Sequence, residues 1–329
     1  MKKITYFANC NSLYTQIFST AEIADLQNKW NTILNKFPSV QTFPKDVKDI
    51  LIADFQKLTD LYFEYDKIKK NNPLIEKEFI LKTKGEKSQL LVFDYNKYYS
   101  KIINYFCEYC NQLGIFSCFY CDIHPIGRYS KKKNEPRLTV DLDHFYPKDQ
   151  CPILALSLRN FVPSCQVCNS RIKGKTEFLK FYGLEKKSLS IQDKKDILNK
   201  LSPTSDLYDF NNNSKIFVFP QKGFSKKISY LNNINSYKIC FKSNDVYQHE
   251  IDALYLEQRY NSITILSEAL SILDLKRKFP PSKIKEIKEI FERNNYFVTE
   301  KQIEEIIFRK NYDINRHSNL LKLKLDLLE

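Results

Sequence analysis

Three Cys-x-x-Cys pairs fall between residues 107 and 168: Cys107/Cys110, Cys118/Cys121 and Cys165/Cys168. A two-residue gap turns both thiolates of a knuckle toward one tetrahedral ion, and two such knuckles complete a four-sulfur structural zinc site. The expected zinc ligands are Cys118, Cys121, Cys165 and Cys168. The remaining pair sits in KIINYFCEYCNQL, where Ile102, Ile103 and Phe106 mark a buried helix face. Free cysteine is among the most buried residue types, so Cys107 and Cys110 read as core packing. Asn9, Asn11 and Ser12 interrupt any apolar signal-peptide core near the start of the sequence. The cysteines are therefore expected to be reduced, in a cytoplasmic protein.

Four of the six glycines (114, 127, 174 and 183) share the cysteine-rich stretch, which marks it as a distinct, tightly turned unit. Before it, Ala21–Leu34, Val47–Lys69 and Tyr95–Leu113 have helical spacing of apolar residues. After it, KIFVFP (215–220) and YKICF (237–241) read as short strands. From about His249 the pattern is helical again, with a break at Pro280-Pro281. No apolar run approaches the length of a membrane span, so no membrane association is expected. A hydrophobic fraction of 43% excludes a disordered chain.

The formal charge is +13, and residues 101–200 carry the largest local excess, 17 basic against 10 acidic side chains. Such an excess suits a polyanionic partner such as nucleic acid. Lys131, Lys132 and Lys133 stand between the first knuckle and the next strand, where they are expected to track a DNA backbone.

The residues around the second knuckle carry the chemistry. Arg137–His144 alternates Leu138, Val140 and Leu142 with Thr139, Asp141 and Asp143, the period of a half-buried strand. Pro147 ends it, Asn160–Ser164 can pair back, and Cys165–Lys180 supplies a helix with Asn169 near its first turn. Asp143, His144 and Asn169 would then surround one point. A carboxylate and an amide carbonyl are hard ligands suited to Mg²⁺ or Mn²⁺, and an imidazole can take a proton from water near neutral pH. Asp141 reads as a solvent-facing strand carboxylate and His124 as a loop residue.

Asp143-His144, Asn160, Cys165-x-x-Cys168-Asn169 and Lys173 together resemble an HNH endonuclease of the zinc-containing ββα-metal type. The resemblance is specific over about residues 118–175, with Asn169 in place of the usual last histidine, a variant also found in active members. It implies His144 as general base and Asp143 and Asn169 as metal ligands. It also implies Asn160 as the residue that holds the loop and the histidine by hydrogen bonds, and Arg171 and Lys173 as phosphate contacts. The stretch DHFYPKDQCPILALSLRNFVPSCQVCNS is similar also to HNH subunits of Septu-like anti-phage systems, which implies an ATPase partner protein.

The expected protein is α+β: mostly helical around a central ββα-metal nuclease unit with a structural zinc knuckle pair. Residues 1–100 form an N-terminal helical region, 101–184 the HNH domain with its zinc site, and 185–329 a C-terminal region of short strands then helices. Its expected activity is metal-dependent hydrolysis of DNA. A non-catalytic zinc-ribbon binding module and a ribonuclease acting on RNA are the alternatives.

Overall fold

The computed structural model describes residues 1, 3–81, 89–130, 136–139, 141–174, 176–186, 188–221, 234–308 and 319–328. It is α+β, with helices and, among the described residues, small antiparallel two-stranded sheets. No described helix is long and apolar enough to cross a membrane. Two compact units emerge, Lys2–Tyr120 with Ile126–Asp209, and Phe210–Glu329 with Met1 and Cys121–Pro125. This differs from the division expected at 100 and 184. The described residues from 3 to 100 fall in the same unit as most of the middle of the chain.

In that unit the helix Thr20–Lys36 starts at a reciprocal cap, in which Ser19 Oγ accepts from Glu22 N at 3.3 Å and Glu22 Oε2 accepts from Ser19 N at 2.7 Å. Its buried face carries Leu26, Trp30, Ile33 and Leu34. Trp30 is fully buried, donates from Nε1 to Pro44 O at 2.8 Å, and meets the rings of Phe43, Phe79 and Phe93. The stretch expected as one helix from Val47 is two, Val47–Leu51 and Phe55–Asn71. Asp54 makes the break, because its carboxylate accepts from Lys57 N at 2.7 Å and so begins a new helix. A further helix, Tyr95–Glu108, packs Tyr95 against Phe161 with ring centroids 5.6 Å apart.

The strand expected over 137–144 is also divided. Pro136–Leu138 pairs with Arg128–Ser130, whereas Asp141–His144 pairs with Phe161–Ser164 in the register Asp143 to Val162 and His144 to Phe161. Thr139 ends the first pairing by bonding back to Gly127, N to O at 3.0 Å and Oγ1 to the Gly127 N–H at 2.9 Å. The helix expected over 165–180 is broken as well. Val167–Lys173 winds as a π-helical segment whose end is marked by Gly174 N donating to Asn169 O at 2.9 Å. Gly174 takes φ +48°, a left-handed conformation that stops the helix, and a short α-helix follows at Phe178–Phe181.

The second unit is built on the antiparallel pair Ser214–Pro220 and Tyr237–Ser243. Ile216, Tyr237 and Ile239 from these strands share a core with Leu266 and Leu270 of the helix Ile263–Lys278 and Leu323 of the helix Leu321–Leu328. Pro281 opens the next helix, Pro281–Arg293, where a missing N–H costs nothing.

Candidate active site and metal centre

The four thiols expected to form a cage do come together. One ligand atom from each of Cys118, Cys121, Cys165 and Cys168 lies within 4.8 Å of every other, and all four side chains are buried. Zn–S bonds of about 2.3 Å in a tetrahedron put sulfurs about 3.8 Å apart, so the cluster is compatible with a structural zinc ion. The Cys165 N–H donates to Cys118 Sγ at 3.2 Å, which ties one knuckle to the other and stabilises thiolate character. Asp122, directly after the first knuckle, sits at φ +55°, a turn conformation that aspartate tolerates. This is the one group of three or more potential His, Cys, Asp or Glu ligands among the described residues. Cys107 and Cys110 stay outside it. Both are buried, and burial pushes the Cys107 thiol up to about 11, as befits packed neutral thiols. His124 is exposed and has no place in the cage.

The hairpin Asp141–His144/Phe161–Ser164 and the helical segment that follows it bring the other expected residues around one cleft. His144 is 7% exposed, with its ring edge-on to Tyr95 at 4.6 Å and tilted to Phe161 at 4.9 Å. Its Nε2 lies 2.9 Å from Ala155 O. A carbonyl oxygen only accepts, so Nε2 carries the proton and Nδ1 keeps its lone pair. Burial, followed by the neighbouring Lys148 charge, lowers the His144 pKa to about 3. The imidazole is therefore in its neutral, basic form at neutral pH.

Asn160 is fully buried and makes three side-chain bonds. Its Oδ1 accepts from Tyr146 N at 2.8 Å, and its Nδ2 donates to Tyr146 O at 3.0 Å and Leu154 O at 2.9 Å. Its backbone O accepts from Phe145 N at 2.8 Å. One carboxamide thus clips both ends of the loop that runs from His144 to Ala155 and fixes the carbonyl that orients the imidazole.

Asp143 does not stand free. Its Oδ2 accepts from Tyr120 Oη at 2.7 Å and from Lys173 Nζ at 2.6 Å. Lys173 also donates to His144 O at 2.5 Å and Phe145 O at 3.2 Å. Its expected role as a phosphate contact is therefore corrected: the ammonium is 5% exposed and satisfied by three protein acceptors. Burial lowers the Lys173 pKa, while Asp143 opposes that shift by stabilising the charged form. Asn169 is half-buried in the π-helical segment and donates from Nδ2 to Asp141 Oδ2 at 3.2 Å. Asp141, read from the sequence as a bystander, is thus the residue that Asn169 touches. Arg171 is exposed on the same segment. Lys131, Lys132 and Lys133 lie outside the described residues.

The cleft has a volume of about 400 Å³, and Asp141, Asp143, His144, Asn169, Tyr95 and Tyr99 are among its lining residues. Sequence reasoning missed Tyr95, Tyr120 and the Ala155 carbonyl. The 21 tyrosines of the chain give Tyr95 and Tyr120 no distinguishing mark, and a backbone carbonyl leaves no trace in a sequence.

No protein-family model, curated protein or solved structure matches the chain.

Proposed function

We propose that this chain is a metal-dependent HNH endonuclease that hydrolyses DNA phosphodiester bonds, with a structural zinc ion in the four-cysteine cage. The observation that carries the reading is the His144–Ala155 hydrogen bond in a cleft shared with Asp141, Asp143 and Asn169. It leaves an unprotonated Nδ1 as the one neutral nitrogen base among the lining side chains. That atom is suited to take the proton of an attacking water, the contribution expected of a positioned general base. Asn160 keeps the imidazole from rotating by holding the loop that carries Ala155.

The donor set around the cleft fits a hard divalent ion, since Asp141, Asp143 and Asn169 offer oxygen atoms. Bound Mg²⁺ or Mn²⁺ would supply neutralisation of the charge that develops on the phosphate and leaving oxygen. Asp143 and Asn169 are the expected holders, with Asp141 as the added carboxylate. Lys173 pairs with Asp143 and anchors the backbone of His144 and Phe145. To exposed Arg171 we assign the neutralisation of a neighbouring phosphate. Anti-phage action with an ATPase partner is the context we attach to this activity.

The ion pair between Lys173 and Asp143 favours one rival, a zinc-ribbon module that binds nucleic acid without cutting it. Incubating the purified protein with supercoiled plasmid and with RNA, each with EDTA, Mg²⁺ or Mn²⁺, separates the readings. Nicked or linear plasmid that requires the metal and disappears in His144→Ala supports the nuclease. Binding without cleavage under every metal overturns it, and cleavage of RNA alone reassigns the substrate.

A further inference from the structure

The strands Ser214–Pro220 and Tyr237–Ser243 place Lys215 opposite Lys242, Phe217 opposite Cys240 and Phe219 opposite Lys238. Side chains alternate across a strand, so these six share one face. The opposite face is committed to the core through Ile216, Tyr237 and Ile239. On the outward face Phe219 is 48% exposed and Lys238 and Lys242 are exposed, whereas Lys215, Phe217 and Cys240 are half-buried. Phe217 and Phe219 have ring centroids 5.8 Å apart and planes inclined at 45°. Burial pushes the Cys240 thiol pKa up, with the Glu257 carboxylate adding to the shift and Lys238 opposing it, so a carboxylate also reaches this face.

An isolated hairpin gains nothing from this arrangement. Like charges directly opposite one another across two strands are destabilising, and about half of the Phe219 surface stays in water. Both features become favourable against a polyanion that carries flat rings. Lysines neutralise phosphates, and aromatic side chains stack on bases of any sequence. The face runs into a cleft of about 840 Å³ lined in part by Lys215, Phe217, Lys242, Ser243 and Asn244, which extends the basic, polar track.

We propose that this sheet face is a binding platform for single-stranded DNA, with phosphates along Lys215, Lys242 and Lys238 and unpaired bases on Phe217 and Phe219. A single strand is the matching partner because a duplex hides the faces of its bases inside its own stack. The choice of DNA rests on the proposed nuclease reading; the platform itself is independent of cleavage.

Fluorescence anisotropy of the full chain with a labelled oligo-dT strand in EDTA tests it. Phe219→Ala should weaken binding by about five-fold or more, the low end of one lost stacking contact. The double variant Lys238→Ala/Lys242→Ala should flatten the dependence of log K on log salt by about 1.4, two contacts at about 0.7 each. Wild-type affinity in both Phe219→Ala and the double lysine variant overturns the platform. So does equal affinity for a duplex, tighter binding of oligo-U, or a dimer that Phe219→Ala dissociates with no change in DNA affinity. Loss of oligo-dT binding in these variants of a protein that cuts no plasmid keeps the platform and removes the nuclease reading.

Discussion

Lys173 Nζ lies 2.6 Å from Asp143 Oδ2, with the two side chains only 6% and 9% exposed. The pair joins the π-helical segment to the hairpin strand and sets the backbone from which His144 projects. Two bonds from the same ammonium, to His144 O and Phe145 O, make the lysine a structural clamp as well as a counter-ion.

Removing one partner of this pair strands the other as an uncompensated buried charge. Lys173→Met should therefore cost about 3–5 kcal/mol in urea denaturation. Lys173→Met/Asp143→Leu should recover part of that loss while remaining inactive. A single variant as stable as wild type would show that water reaches and solvates Asp143.

The His144 imidazole predicts an acid limb in stability. Its folded pKa of about 3 lies below the unfolded value of about 6.5, so the unfolded chain binds the proton more readily. Stability is complete above about pH 6.5 and falls as the pH drops toward 3, at up to about 1.4 kcal/mol per unit. In EDTA, His144→Asn should show a shallower decline over that window than wild type. Parallel stability curves would place a charged histidine in the folded state.

The same residue addresses catalysis. His144→Ala should lower the plasmid cleavage rate by at least about 10²-fold while far-ultraviolet circular dichroism stays unchanged. Cutting at the wild-type rate would remove His144 as the base.

Asn160 holds its loop with three buried bonds. Asn160→Ala would leave Tyr146 N, Tyr146 O and Leu154 O without this partner, at about 1–3 kcal/mol for each group left unsatisfied. The Tm should fall, and cleavage should fall with it even at temperatures where the variant is folded. Full activity in the folded variant would show that the loop keeps the Ala155 carbonyl in place unaided.

Elemental analysis should find one zinc ion per chain. Cys118→Ser or Cys165→Ser should lose it together with much of the thermal stability, because binding of a structural ion is coupled to folding. Cys107→Ser should keep the zinc. Two ions per chain, or none, contradicts the assignment of the cage.

The sequence by itself determined the features whose geometry is local. The two-residue gap marked three candidate knuckles, and the apolar helix face around Cys107 and Cys110 left Cys118, Cys121, Cys165 and Cys168 as the four that meet. Apolar periodicity located the helix around Trp30 and the strands at 215–220 and 237–241. Tertiary structure decided the rest of the site. Lysine is seldom buried, so nothing near Lys173 announced that its ammonium would meet a carboxylate thirty residues earlier. The π-helical segment sets the phase that turns Lys173 inward and leaves Asn169 beside Asp141. The tautomer of His144 depends on a carbonyl eleven residues away, presented by a loop that Asn160 clips shut. Local spacing sets which residues a segment displays; long-range packing sets which partner each one meets, and with it the charge and proton that the residue carries.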